Sequence, residues 1–143
     1  MKTIKWMLLI YGFLWVLGFP VNAQETPAKE EIFSEVDEMP EYKGGQEALF
    51  QFVKDNIVYP EEAKKNGVQG KVFVSFVIDE FGAVTESRIA RGVNPDLDKE
   101  ALRVVKQMAE WNPGKKEGKP VKVSMTLPIM FALDENKQKK PNE

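Results

Sequence analysis

The chain has no cysteine and no histidine. The first absence excludes a disulfide framework, a thiol nucleophile, a thiolate-held zinc or iron–sulfur site, and a cysteine-linked lipid anchor. The second excludes an imidazole general base, a Ser-His-Asp triad and a histidine-ligated metal. A surplus of positive charge is also missing. There are 20 Lys and Arg against 22 Asp and Glu, a net charge of −2. With a pI near 5.4, the chain lacks the basic footprint that a nucleic acid demands. What is present, 143 residues with 43% hydrophobic side chains, suffices for one modest domain with an ordinary core.

Residues 1–23 read as an export signal. Lys2 and Lys5 give a positive start, residues 6–19 are apolar with Gly12 and Gly18 as small breaks, and Val21-Asn22-Ala23 after Pro20 offers a cleavage site. The apolar stretch falls short of the ~20 residues that span a bilayer. Cleavage places the chain in the periplasm. The alternative is an uncleaved anchor in the inner membrane facing the periplasm, and only then does the chain touch a membrane. Residues 24–43 form a polar, acidic leader with Pro27 and Pro40. Its beginning is expected to be flexible, with residues 33–36 forming a short strand or docking on the domain. Residues 44–133 carry the domain, and residues 134–143 form a polar tail expected to be disordered.

Gly44-Gly45 precedes a helical pattern over residues 46–57, with Leu49, Phe50, Val53 and Ile57 on one face and Phe52 off the stripe. Residues 59–67 predict a short helix. Pro60 suits its first position, Glu61 and Glu62 its positive end, Lys64 and Lys65 its negative end, and Asn66-Gly67 its left-handed stop. Residues 71–79 alternate as a strand, Asp79-Glu80-Phe81-Gly82 turns, and residues 83–90 return. Leu97, Ala101, Val104, Val105, Met108 and Trp111 keep helical spacing up to Asn112-Pro113-Gly114, and residues 115–120 read as a loop. In the strand predicted over residues 121–133, Val121, Val123, Met125, Leu127, Ile129 and Phe131 share one face. Lys122, Ser124, Thr126 and Pro128 share the other. Pro128 cannot donate to a ladder, which puts this strand at a sheet edge, at least near its end. The sum is a two-layer α+β domain, a small antiparallel sheet with helices on one face.

Candidate chemistry is sparse. Asn94-x-Asp96-x-Asp98 opens like a calcium loop, but Lys99 stands where glycine is needed and Val105 where glutamate is needed, so helix capping is favoured. Gly67, Gly70 and Gly82 form no phosphate loop. Glu61 and Glu62, or Glu35, Asp37 and Glu38, are carboxylate clusters without an acid–base constellation, so no enzyme is expected. Lys115, Lys116 and Lys119 are read as a solvated basic loop, and Trp111 as a core anchor. No cofactor or metal is expected. What remains is the long last strand, whose edge could be covered, joined to a second copy in a homodimer, or used to bind an extended peptide.

An ordered set of motifs resembles the TonB C-terminal domain family. It comprises Tyr59-Pro60-x-x-Ala63-x-x-x-Gly67-Val68-x-Gly70-x-Val72-x-Val74-x-Phe76, then Asp79-x-x-Gly82-x-Val84, Leu97-Asp98-x-x-Ala101 and Trp111-x-Pro113-Gly114. The match runs over residues 36–133, and Met39-Pro40-x-Tyr42-x-Gly44-Gly45 is similar to the lead-in of Bacteroidetes-type members. The resemblance implies a two-layer α/β domain working in the periplasm without a cofactor. Its implied partner is the TonB-box peptide of an outer-membrane receptor, or a similar envelope protein. That peptide would pair with the edge of the last strand, here Val121, Val123, Ser124, Met125, Thr126, Leu127 and Ile129. In the family this grip supports energy-dependent import of iron chelates, vitamins or glycans. Two departures stand out. The spacer of residues 24–43 reaches at most ~66–72 Å when fully extended, and the leading segment resembles a removable signal, so a stand-alone domain is expected. Residues 55–58 also lack the glutamine-rich character of enteric members. The alternative is a non-energised structural or adaptor protein that dimerises through the same edge.

Overall fold

The computed structural model describes residues 31–134. The segments read as an export signal, as the start of the leader up to residue 30 and as a tail from residue 135 lie outside the described residues. The domain's elements run β1 (Ile32–Phe33), β2 (Glu41–Tyr42), α1 (Gly45–Asn56), α2 (Glu61–Lys65), β3 (Gly70–Ile78), β4 (Val84–Arg91), α3 (Pro95–Gln107), β5 (Trp111–Asn112), β6 (Gly114–Lys116) and β7 (Lys119–Phe131). The main sheet has the order β1-β7-β3-β4, with β6 pairing the start of β7, and β2 pairs β5 separately. The architecture is α+β.

The core forms where three periodicities meet. Alternate residues of β3 from Val72 on, Val72, Val74, Phe76 and Ile78, are all buried, as the alternation of a strand requires. The buried stripe of α3 is Leu97, Ala101, Val104 and Val105. Ile129 and Phe131 from β7, Leu49 from α1 and Ala63 from α2 close the cluster. No charged or polar side chain is buried among the described residues, so burial of apolar surface carries the fold.

The helix ends follow local chemistry. Asn94 caps α3 by accepting from the Leu97 N–H at 2.9 Å, and Pro95 stands just inside. The Asp98 carboxylate accepts from the Val93 N–H at 2.8 Å. Asn94 and Asp98 therefore do capping work, in line with the sequence. Gly67 takes φ 64 after α2, the left-handed stop expected there.

Several details depart from the sequence pattern. Pro60 is the N-cap of α2 rather than its first helical residue. Helix α3 ends at Gln107, so Met108 and Trp111 reach the core from beyond it, Trp111 from β5. Helical spacing alone cannot separate the two, because a chain that turns back over the same core keeps presenting apolar residues to it. Residues 115–120 are not a loop: β6 and β7 form a tight hairpin around Glu117 and Gly118, both at positive φ. Of the two phenylalanines on α1, Phe50 is exposed at 58%, while Phe52 packs on the core beside Tyr42, with ring centroids 6.0 Å apart.

Candidate functional site

Strand β7 is laid down by an unbroken antiparallel register with β3, from Gly70↔Phe131 to Ile78↔Val123. On its other side, β1 pairs in parallel at Lys122 and Val123. Beyond Val123 no strand pairs with this outer side among the described residues. Pro128 lies opposite Phe73 within the β3 ladder but has no N–H. Its backbone groups must turn away from β3 for the ladder to stay whole. Backbone direction alternates along a strand, so Lys122, Ser124, Thr126 and Met130 also turn outward, and Met125, Leu127 and Ile129 turn toward β3.

Beneath this edge the inner face is incompletely covered. Val123, Ile129 and Phe131 are buried, whereas Met125 and Leu127 between them remain half-buried. A groove of about 360 Å³ runs there between β7 and α1, lined by Tyr42, Leu49, Phe50, Phe76, Trp111, Met125 and Leu127 among others. A second hollow of about 270 Å³ shares Phe50, Leu127 and Pro128 and continues past Val53, Ile57 and Ile129 to Met130. The two adjoin at Phe50, Leu127 and Pro128 and together make a mainly apolar channel of two hollows along β7.

The floor of the channel is a packed aromatic cluster. Trp111 is 4% exposed and meets Tyr42 edge-on at 5.3 Å between centroids and Phe76 at 5.8 Å. Its indole Nε1 is buried without a hydrogen-bond partner among the described residues. Gly82 in the β3–β4 turn has φ 82, and a Cβ there would lie 1.9 Å from the Trp111 carbonyl oxygen. The Asp-x-x-Gly and Trp-x-Pro-Gly motifs are thus two sides of one contact. Burial and the Glu110 carboxylate raise the Tyr42 phenol above its ordinary pKa.

The wall formed by α1 is fastened to α3. Arg103 donates to Glu100 through Nε at 2.8 Å and Nη2 at 2.6 Å, and Nη2 also reaches the Asn56 carbonyl at 2.7 Å. Glu100 accepts in turn from the Val58 N–H at 2.7 Å. The hydrogen bonds from Arg103 hold the Glu100 carboxyl below its usual range, against desolvation and with help from Val58. Tyr59 clamps the far end. Its hydroxyl donates to the Val68 carbonyl, and its ring meets Phe131 edge-on at 5.6 Å.

Of the seven edge residues expected from the sequence, Val121 faces Gly114 in the β6–β7 hairpin, and Val123 is buried beside β1. Ser124 and Thr126 turn their backbone outward, Met125 and Leu127 line the groove, and Ile129 is buried beneath it. The motif residues Tyr59, Pro60, Ala63, Gly67, Gly82, Leu97, Ala101, Trp111 and Pro113 lie in or beside the core or at turns and helix ends, and Gly70 opens β3. Sequence reasoning missed Tyr42, Leu49 and Phe50 as groove residues. The sequence pattern puts Phe50 on the core stripe of α1, so it gave no sign of an exposed position beside the groove. Among the described residues no group of three or more metal-ligating side chains gathers, and no helix is long and apolar enough to cross a membrane.

Comparison with known proteins gives a consistent family. Residues 55–133 match the family profile described as Gram-negative bacterial TonB protein C-terminal. Protein TonB of Helicobacter pylori strain 26695 is 33% identical over 79 residues, covering 54% of this chain and 26% of that protein. Protein TonB of strain J99 is likewise 33% identical, with 27% of its length covered. The match therefore spans about a quarter of these curated relatives. A solution structure of the H. pylori TonB C-terminal domain is 27% identical, with 61% of this chain and 78% of that chain covered and a TM-score of 0.49. The Pseudomonas aeruginosa TonB C-terminal domain gives 24% identity, 59% and 82% coverage, and a TM-score of 0.43.

Proposed function

The chain belongs to the TonB C-terminal family, and from that premise we propose that its domain is a periplasmic peptide-binding module. Its partner is an extended segment of an outer-membrane receptor, the TonB box, which adds as a strand to the outer edge of β7. The binding supports energy-dependent import across the outer membrane. The observation that carries this proposal is the coincidence of an open backbone edge from Thr126 onward with an apolar channel directly beneath it. Strand addition draws affinity from main-chain hydrogen bonds and specificity from side-chain pockets. The outward groups of Thr126 and Met130 supply the first. The channel walled by Phe50, Met125 and Leu127 supplies the second, receiving alternate side chains of the added strand. Nothing in this role involves turnover of a substrate.

Calorimetric titration of a synthetic TonB-box peptide into the chain tests the proposal. Saturable binding that is lost when Leu127→Glu puts a charge into the channel is the expected result. Binding that survives that change places the peptide elsewhere. The same open edge also suits pairing with a second copy, a structural or adaptor role. Sedimentation separates the two, since concentration-dependent dimers that ignore the peptide would favour the latter.

A further inference from the structure

The start of the described chain already occupies part of this edge. In β1, Ile32 pairs with Lys122 and Phe33 with Val123, on the side of β7 away from β3. In a parallel ladder a residue bonds the two neighbours of its partner. With the outward phase set by Pro128, the partners of Phe33 are Lys122 and Ser124. While β1 is in place, the outward N–H groups left on β7 are those of Thr126 and Met130, because Pro128 has none. Without β1, Lys122 and Ser124 join them, and the donors along the edge double from two to four.

The hold of β1 is slight, and the chain after it is firmly tied. The strand is two residues long, Ile32 is 40% exposed, and the described side-chain contact of Phe33 is the Lys116 ammonium 4.3 Å from its ring centroid. Farther along, Asp37 accepts from the Glu117 N–H at 2.7 Å. Glu38 and Lys115 exchange backbone hydrogen bonds at 2.8 and 3.1 Å, and their side chains form an ion pair at 3.3 Å. Pro40 is buried, and β2 pairs β5. Short segments with few buried contacts open at little cost. Strand β1 can leave the edge while residues 37–42 stay docked.

We propose that β1 is a built-in, displaceable occupant of the partner-binding edge of β7. It shields Lys122 and Ser124 from strand pairing in the free protein and yields them to an incoming strand. The proposal rests on strand addition at β7 and sets the regulation of that site.

The test is a redox lock. Ile32→Cys combined with Lys122→Cys places cysteines on cross-strand partners, and the chain contains no other cysteine. A synthetic TonB-box peptide is titrated into the oxidised and the reduced forms of the whole chain. The oxidised form is expected to bind about threefold to tenfold more weakly, the range that one or two withheld backbone hydrogen bonds command. Phe33→Pro, which removes the β1 donor, is expected to bind more tightly by a similar factor. Equal affinity of the oxidised and reduced forms, or weaker binding by Phe33→Pro, would overturn the proposal while leaving strand addition intact. Absence of any peptide-induced shift in β7 amide resonances, in every form, would instead remove strand addition itself.

Discussion

The main sheet has two long outer strands, and they are built to opposite ends. Strand β4 meets β3 in a register that shifts twice, between Phe73 and Val74 and between Ser75 and Val77. Glu86 sits at φ 48 within the second shift, and Glu86, Arg88 and Arg91 put charge along the strand. Bulges and charges are the means by which proteins keep an edge from recruiting another strand. Strand β7 meets β3 without a single shift over nine residue pairs. Its far side is straight, and half-buried Met125 and Leu127 wait below it. Protection there is limited to β1 at one end and Pro128 near the other. An edge that is left straight beside an unfilled apolar channel is suited to pairing, and the contrast with β4 marks it out within the same sheet.

The strongest way to break this contrast is proline substitution in the two phases of β7. Thr126→Pro removes an outward N–H and is expected to lower peptide affinity at least about tenfold, with folding stability nearly unchanged. Leu127→Pro removes a donor to β3 and is expected to destabilise the fold by about 3 kcal/mol. Urea unfolding and peptide titration of both variants separate the phases, and equal stability losses would refute the outward assignment. A smaller effect is expected from Phe50→Ala. Phe50 is exposed in the free protein, so its truncation should weaken peptide binding about threefold, while stability stays within about 0.5 kcal/mol.

Acid should loosen the channel wall. The Glu100 carboxyl titrates below the ordinary glutamate value of about 4.3, so the unfolded chain binds its proton more readily than the folded one. The contribution of Glu100 to stability is therefore complete above that value and fades as pH falls through the lower folded pKa. The melting temperature followed from pH 6 to pH 3 should drop less steeply in Glu100→Gln than in the parent chain. The smallest change lies on the protected edge. Glu86→Gly relieves a left-handed backbone and is expected to add about 0.5–1 kcal/mol to stability by chemical unfolding, with peptide affinity unchanged.

The long elements were legible because their periodicity is strong. The alternation of β3, the stripe of α3 and the Pro128 signature of an edge all lie in the sequence and match the fold. The short strands were not legible as strands. Pairs such as Glu41-Tyr42 and Trp111-Asn112 have no period of their own and are defined by each other across the 68 residues between Tyr42 and Trp111. Residues 32–33 are a strand because β7 offers an edge, which no local pattern announces, although docking of the nearby residues 33–36 was anticipated. The seven edge residues are what the family resemblance implies, and it does not separate their parts. Telling backbone-presenting Thr126 from groove-lining Leu127 requires the β3 register, and the groove requires α1 and Trp111 placed in space.

Hydrogen exchange of the backbone amides, read by NMR with and without a synthetic TonB-box peptide, tests the central claim most directly. Strand addition predicts new protection at Thr126 and Met130, with the β3-facing amides of Met125 and Leu127 and the β4 amides of Glu86 and Arg88 unchanged. Protection that appears along β4, or peptide binding without protection at Thr126, would contradict it.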